Sequence, residues 1–183
     1  MQLSTMKFTS TFALVACAVA AQASTVAQVL TDIGAINAGV TSLNNKVLAF
    51  PLTGGTLANA LAIHNAAGAL VSTINTATID TTSITPLPLS LDDGTSIIDA
   101  VDALKPTILS ALTGIVTVKP AFAALPVGGI PALVKSDLSN LSAATTAFED
   151  ALIASAPAEI LSRANDIQST INAAFATAIS AYA

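Results

Sequence analysis

Ser90–Leu125, SLDDGTSIIDAVDALKPTILSALTGIVTVKPAFAAL, opens as a helix opens. Ser90 offers a capping hydroxyl, and Asp92 and Asp93 put negative charge on the first turn, where the helix dipole favours it. Ile97, Val101, Leu104, Ile108, Ala111, Ile115, Val118 and Phe122 then follow at alternating steps of four and three. That spacing lays one apolar seam along a helix face.

The two halves of this helix differ in character. Before Pro106 the seam is narrow, and Asp99, Asp102 and Lys105 decorate the remaining surface. From Thr107 to Val118 there is no charge, and Leu109, Leu112 and Val116 add a second apolar row beside the first. A face widened in this way is covered by protein on more than one side, or meets something apolar that is not protein. Pro106 cannot donate to the carbonyl of Asp102 and crowds it, so the helix is expected to kink where its character changes.

Working outward, the same period recurs. Val26, Val29, Ile33, Ile36, Val40, Leu43, Val47 and Phe50 keep a heptad up to Pro51 and Gly54-Gly55, with Asp32 off that seam. Thr56 suits the cap of a second helix carrying Leu57, Ala60, Leu61, Ala67, Leu70, Val71 and Ile74, and Pro86-Leu87-Pro88 makes an extended connector. Beyond the central helix, Pro120 to Leu125 reads as a short helical turn. Pro131 opens a fourth long helix with Val134, Leu138, Leu141, Phe148 and Leu152 on one face. Pro157 opens the last, striped by Ile160, Ala164, Ile167, Ile171, Phe175, Ile179 and Tyr182. No stretch alternates with period two. The fold expected is all-α, an antiparallel bundle of about five long helices whose central helix is kinked at a proline.

Residues 1–23 read as a secretory signal peptide. Lys7 gives the positive start, Phe12 to Ala20 the short apolar core, and Ala21-Gln22-Ala23 the cleavage site. That core is too short to span a bilayer, so no transmembrane segment is expected. Leu14-Val15-Ala16-Cys17 also fits a lipoprotein box, but the apolar run continues past Cys17. Residues 24–183 then form a single domain. Cys17 is the only cysteine, so a secreted mature chain has no disulfide and depends on its core. The composition suits that: 53% of residues are hydrophobic and 9% charged, with mean hydropathy +0.75. A formal charge of −5, sparse and acidic, argues against nucleic acid and anionic membrane surfaces.

The chemistry of enzymes is hard to find here. His64 is the only histidine, and no G-x-S-x-G elbow accompanies it. Gly54-Gly55-Thr56 lacks the lysine and spacing of a phosphate loop. Asp92-Asp93-Gly94 is too short for a calcium loop, and Asp99 with Asp102 reads as a solvated face. The expectation is a protein that is not an enzyme, with no cofactor and no metal. One sequon, Asn140-Leu141-Ser142, places Asn140 about 100° round the helix from the inward Leu141, so Asn140 is a candidate glycosylation site. The C-terminal segment, broken by Asn172, Thr177 and Ser180, reads as an amphipathic helix rather than an anchor signal.

Short motifs recur in a recognisable order: Val29-Leu30-Thr31-Asp32-Ile33, Ala62-Ile63-His64-Asn65-Ala66-Ala67, Pro88-Leu89-Ser90-Leu91-Asp92-Asp93 and Leu104-Lys105-Pro106-Thr107-Ile108. Val118-Lys119-Pro120-Ala121-Phe122, Ser155-Ala156-Pro157 and the ending from Ala174 to Tyr182 complete the series. The set resembles the fungal hydrophobic-surface-binding proteins, also called cell wall galactomannoproteins. The resemblance implies secretion, a helical bundle, and association with the cell wall or with hydrophobic surfaces. In some members it implies long-chain fatty acids enclosed between the helices, and in one a link to recruiting a polyester-degrading esterase. The motifs mark structure, so no ligand residue is carried over from them.

Two functions stand side by side. In the first, an acyl chain lies against the charge-free half of the central helix. Its lining candidates are Leu109, Leu112, Ile115, Val116 and Phe122, with Leu141, Phe148, Ile171 and Phe175 from other helices. Any carboxylate head would need donors such as Ser or Thr hydroxyls or His64. In the second, a structural or adhesive wall protein with a packed core coats hydrophobic surfaces and recruits an esterase. A rigid empty cavity of about 300 Å³ would cost roughly 7 kcal/mol, so a lipid-binding bundle holds a ligand or closes its helices.

Overall fold

The computed structural model describes residues 24–183; the expected leader, with its cleavage site and Cys17, lies outside the described residues. Among the described residues there are five long helices and one short one: α1 (Val26–Leu48), α2 (Leu57–Thr82), α3 (Leu91–Thr117), α4 (Lys119–Ala123), α5 (Ile130–Ser155) and α6 (Leu161–Ala181). A 3-10 turn at Ala158–Ile160 leads into α6, and no strand occurs among the described residues.

Local chemistry sets the helix starts. The hydroxyls of Thr25, Thr56 and Ser90 accept hydrogen bonds from the backbone N–H groups of Gln28, Asn59 and Asp93 at 3.2, 3.2 and 3.1 Å. Gly129 precedes α5 with a φ of 89°, which a side chain would oppose, and Pro131 follows in the first turn. α3 runs unbroken through Pro106, so one missing amide does not end a helix packed on both flanks.

The apolar stripes fix the arrangement. α1 packs on α2 and α3, α2 on α5, α5 on α6, and α6 back on α3, so the long helices close into a ring. Successive long helices reverse direction, yet the ring sets like-directed ones side by side. Ser110 donates to Asn44 at 3.1 Å late in both α3 and α1, and His64 meets Asp137 early in both α2 and α5. α2 and α3 are long and apolar enough to cross a bilayer by length and composition. In the fold both take places in the ring, burying Ile63, Leu70 and Ile74, and Ile97, Val101 and Leu104.

One end of the ring is plugged. α4 swings Phe122 to within 4.5 Å of the Phe50 ring, centroid to centroid, where it is 1% exposed. The Tyr182 hydroxyl donates to the Ile115 carbonyl at 2.6 Å, and Lys119 donates to the Ala181 carbonyl with its Nζ 5.4 Å from the Tyr182 ring. The C-terminus is thereby tied to the junction of α3 and α4, and burial pushes the Tyr182 phenol up.

Two polar expectations change. Asp32, off the seam by pattern, is buried beside Asp80; burial raises its pKa, opposed by the amide of Gln28 donating at 2.9 Å. Asp99 and Asp102 do not merely face solvent. Arg163 of α6 spans both, at 2.5 and 3.0 Å, and Lys105 reaches Asp102 at 2.7 Å, which holds the Asp102 carboxyl below its ordinary value.

Candidate functional site: a cavity inside the helical ring

Five helices in a ring, spaced about 9–10 Å apart, place each axis roughly 8 Å from the centre. Side chains must cross that space, and here they leave an apolar cavity of about 90 Å³. All five long helices line it. α1 contributes Ile36, Val40, Leu43 and Val47; α2 contributes Ile63, Ala67, Leu70 and Ile74. α3 supplies Val101, Leu104, Ile108, Ala111, Leu112 and Ile115, and α6 supplies Ile171 and Phe175. The α5 wall combines Val134, Leu138, Leu141 and Phe148 with three polar residues, Asp137, Thr145 and Glu149.

Of the residues expected at an apolar ligand, Leu112, Ile115, Leu141, Phe148, Ile171 and Phe175 come together on this wall. Leu109, Val116 and Phe122 do not. Leu109 and Val116 are half-buried on the flanks of α3, whose inward row is Ile108, Ala111, Leu112 and Ile115. Phe122 lies past the break at Val118, in the end plug. The apolar surface facing the cavity is therefore one row of α3 and its edges, because a neighbour covers each flank. On the α1 side the approach is close: a Cβ on Gly114 would lie 2.9 Å from Val47 Cγ1.

Glu149 stands out on the wall. It is 5% exposed, and both its carboxyl oxygens are buried without a hydrogen-bond partner among the described residues. Burial, then the neighbouring Asp150 charge, pushes its pKa up to about 8. A lone buried carboxylate is expensive, so at neutral pH this group keeps its proton and acts as a donor. The sequence did not single it out, since one glutamate after Phe148 reads as a polar flank. Its signal was the step of four through Leu141, Thr145 and Glu149, one inward row of α5.

Asp137 marks a second feature. It meets His64 Nδ1 at 2.9 and 3.0 Å; burial raises its pKa, and the histidine works against that. Outside this pair, Gly68, Val71 and Asn75 of α2 and Asn140, Ala143, Ala144 and Ala147 of α5 bound an open groove of about 450 Å³. Ala67 and Asp137 belong to both the groove and the inner cavity, so one layer of side chains separates them. The candidate glycosylation site Asn140 is exposed on the rim of this groove, with Leu141 buried behind it. Among the described residues, no group of three His, Cys, Asp or Glu side chains comes together as a metal site.

Comparison with known proteins agrees with this geometry. The crystal structure of AfMP4P in complex with palmitic acid is similar at 31% identity and a TM-score of 0.79, covering 87% of this chain and 100% of that one. Ligand binding domain 1 of the Penicillium marneffei MP1 protein, complexed with arachidonic acids, superposes with a TM-score of 0.76 at 18% identity, covering 87% and 99%. Domain 2 of the same protein, complexed with multiple arachidonic acids, gives 0.72 at 17%, covering 86% and 93%. No match was found among curated protein sequences. Residues 26–154 match the family described as hydrophobic surface binding protein A, and the chain belongs to that family.

Proposed function

We propose that this protein is a secreted, cell-wall-associated carrier of long-chain fatty acids, without enzymatic activity, whose acyl chain lies in the central cavity. The observation that carries the reading is the convergence of apolar side chains from all five long helices on one internal space. The palmitic acid in the 31%-identical AfMP4P complex supports the ligand class. An acyl chain of about sixteen carbons gains on the order of 12 kcal/mol on leaving water, at about 0.8 per methylene, enough for micromolar or tighter binding after association costs.

The test is binding of cis-parinaric acid to delipidated protein, with native mass spectrometry of unboiled secreted material. A fluorescent complex of one or a few chains per protein is expected, and Leu112→Trp, which fills the cavity, should weaken it at least tenfold while the far-ultraviolet circular dichroism stays helical. No binding at micromolar concentration would overturn the carrier. A second reading, an adhesive protein that coats polyester or wax and recruits an esterase, is favoured by Leu48 and Leu52, which are 61% and 63% exposed around the turn after α1. Adsorption to polyester beads that Leu52→Ser abolishes, without any parinaric acid binding, would make that reading the better one.

A further inference from the structure

Resting on the acyl-carrier reading, we propose that Glu149 is the head-group site of the cavity: its carboxyl, with Thr145 one turn earlier, hydrogen-bonds the oxygen of an un-ionised or proton-sharing acyl head. Three observations carry this. Glu149 is 95% removed from solvent, both its oxygens lack a partner, and it lines the same space as the apolar side chains that would take the chain. A buried polar group is normally satisfied, so an unpartnered carboxyl on a cavity wall points to a partner that occupies the cavity.

The rest of the wall narrows the chemistry. α1, α2, α3 and α6 present only apolar side chains to the cavity. From α5 come Asp137, already paired with His64, and Thr145. Asp150, next to Glu149, is the other nearby charge, and it too is negative. Among the described residues, no lysine or arginine lines the space. A ligand carboxylate would therefore find no cation, and its negative charge would meet further acids. A protonated glutamic acid facing a carboxylic acid forms a paired hydrogen bond; facing a carboxylate it shares one proton. In either case the bound site holds at least one proton; Glu149 already carries it at pH 7 but has lost it above about pH 8, so binding there takes up a proton. Burial of Glu149, which keeps its proton to about pH 8, sets the upper edge of the working range.

The experiment measures cis-parinaric acid and a long-chain alkane competitor against parent, Glu149→Gln and Glu149→Leu proteins from pH 6 to pH 9.5. Gln keeps a donor that cannot ionise, and Leu removes it. In the parent, the acid should lose at least tenfold in affinity between pH 7 and 9.5, beyond whatever loss Glu149→Gln shows from the ligand's own ionisation. At pH 7 Glu149→Leu should lose about tenfold for the acid and hold the alkane at least as well. Titration calorimetry in two buffers of different ionisation enthalpy should show proton uptake by the parent at about pH 9, above the Glu149 pKa. Equal acid affinity in parent and Glu149→Leu at every pH, or no proton uptake at about pH 9, would overturn the head-group site while leaving the carrier standing. Failure of the parent to bind either acid or alkane would overturn the carrier and this site with it.

Discussion

Glu149 should make this protein more stable in acid than at neutral pH, the reverse of the usual carboxylate. Its folded pKa is about 8 against 4.5 in the unfolded chain, so between those values the folded protein holds a proton that the unfolded chain has released. Stability from this group is full below about pH 4.5 and falls as pH rises, by about 1.4 kcal/mol per unit, until pH 8. From pH 4.5 to pH 7 the loss is about 3 kcal/mol, a large part of a small domain's total. Glu149→Gln keeps the shape and removes the proton linkage. The raised carboxyls of Asp32 and Asp137 bend both proteins' pH curves alike and cancel in the difference. Urea unfolding followed by far-ultraviolet circular dichroism at pH 4 and pH 7 reads it directly. At about 2 kcal/mol per molar urea, the variant's midpoint should gain roughly 1.5 M on the parent's between the two pH values. Parallel pH dependence of parent and variant would refute the reasoning, because Glu149 would then ionise in the folded state as it does in water.

Other perturbations follow from the packing. Tyr182→Phe leaves the buried Ile115 carbonyl without its 2.6 Å donor and should cost about 1–2 kcal/mol, read as a lower thermal midpoint. Gly94→Ala would put a Cβ 2.7 Å from the Pro157 ring and 2.9 Å from Ile160 Cδ1, and should destabilise by about 1–3 kcal/mol. Gly34→Ala, with nothing within 4 Å on α1, should stabilise by roughly 0.5–1 kcal/mol in the same assay.

Periodicity made the inward faces legible. Val29, Ile33, Ile36, Val40, Leu43 and Val47 of the first seam are all buried in α1, and the stripe of α5 behaves alike; Val26, Ile108, Ile160 and Ile179, read on the seams of α1, α3 and the last helix, are only partly buried. Five similar stripes do not say which helix neighbours which, and the closure of α6 onto α3 depends on contacts more than sixty residues apart, such as Arg163 with Asp99. For the same reason the two apolar rows of α3 could not be divided between cavity and neighbour. Local pattern was also blind to Glu149 and Asp32, because a single carboxylate beside a stripe is buried only when another helix closes over it.

Size decides how a chain could enter. A cavity of about 90 Å³ costs on the order of 2 kcal/mol, which a domain tolerates, but it is smaller than the roughly 150 Å³ that holds a benzene ring. A long acyl chain must therefore part the helices, and the seams differ in what parting forfeits. α1 and α3 are held by Val47 against Gly114 and by the Ser110–Asn44 bond, and α3 and α6 by Arg163 across two aspartates. The groove between α2 and α5 is bounded largely by short side chains, Ala67, Gly68, Ala143, Ala144 and Ala147. The His64–Asp137 pair crosses that seam beside the cavity. Parting there breaks that one partly exposed polar contact, a matter of about 1 kcal/mol. His64→Ala should then speed both uptake and release of cis-parinaric acid about threefold to fivefold in stopped-flow traces, with little change in Kd. Unchanged rates in that variant would move the opening to another seam.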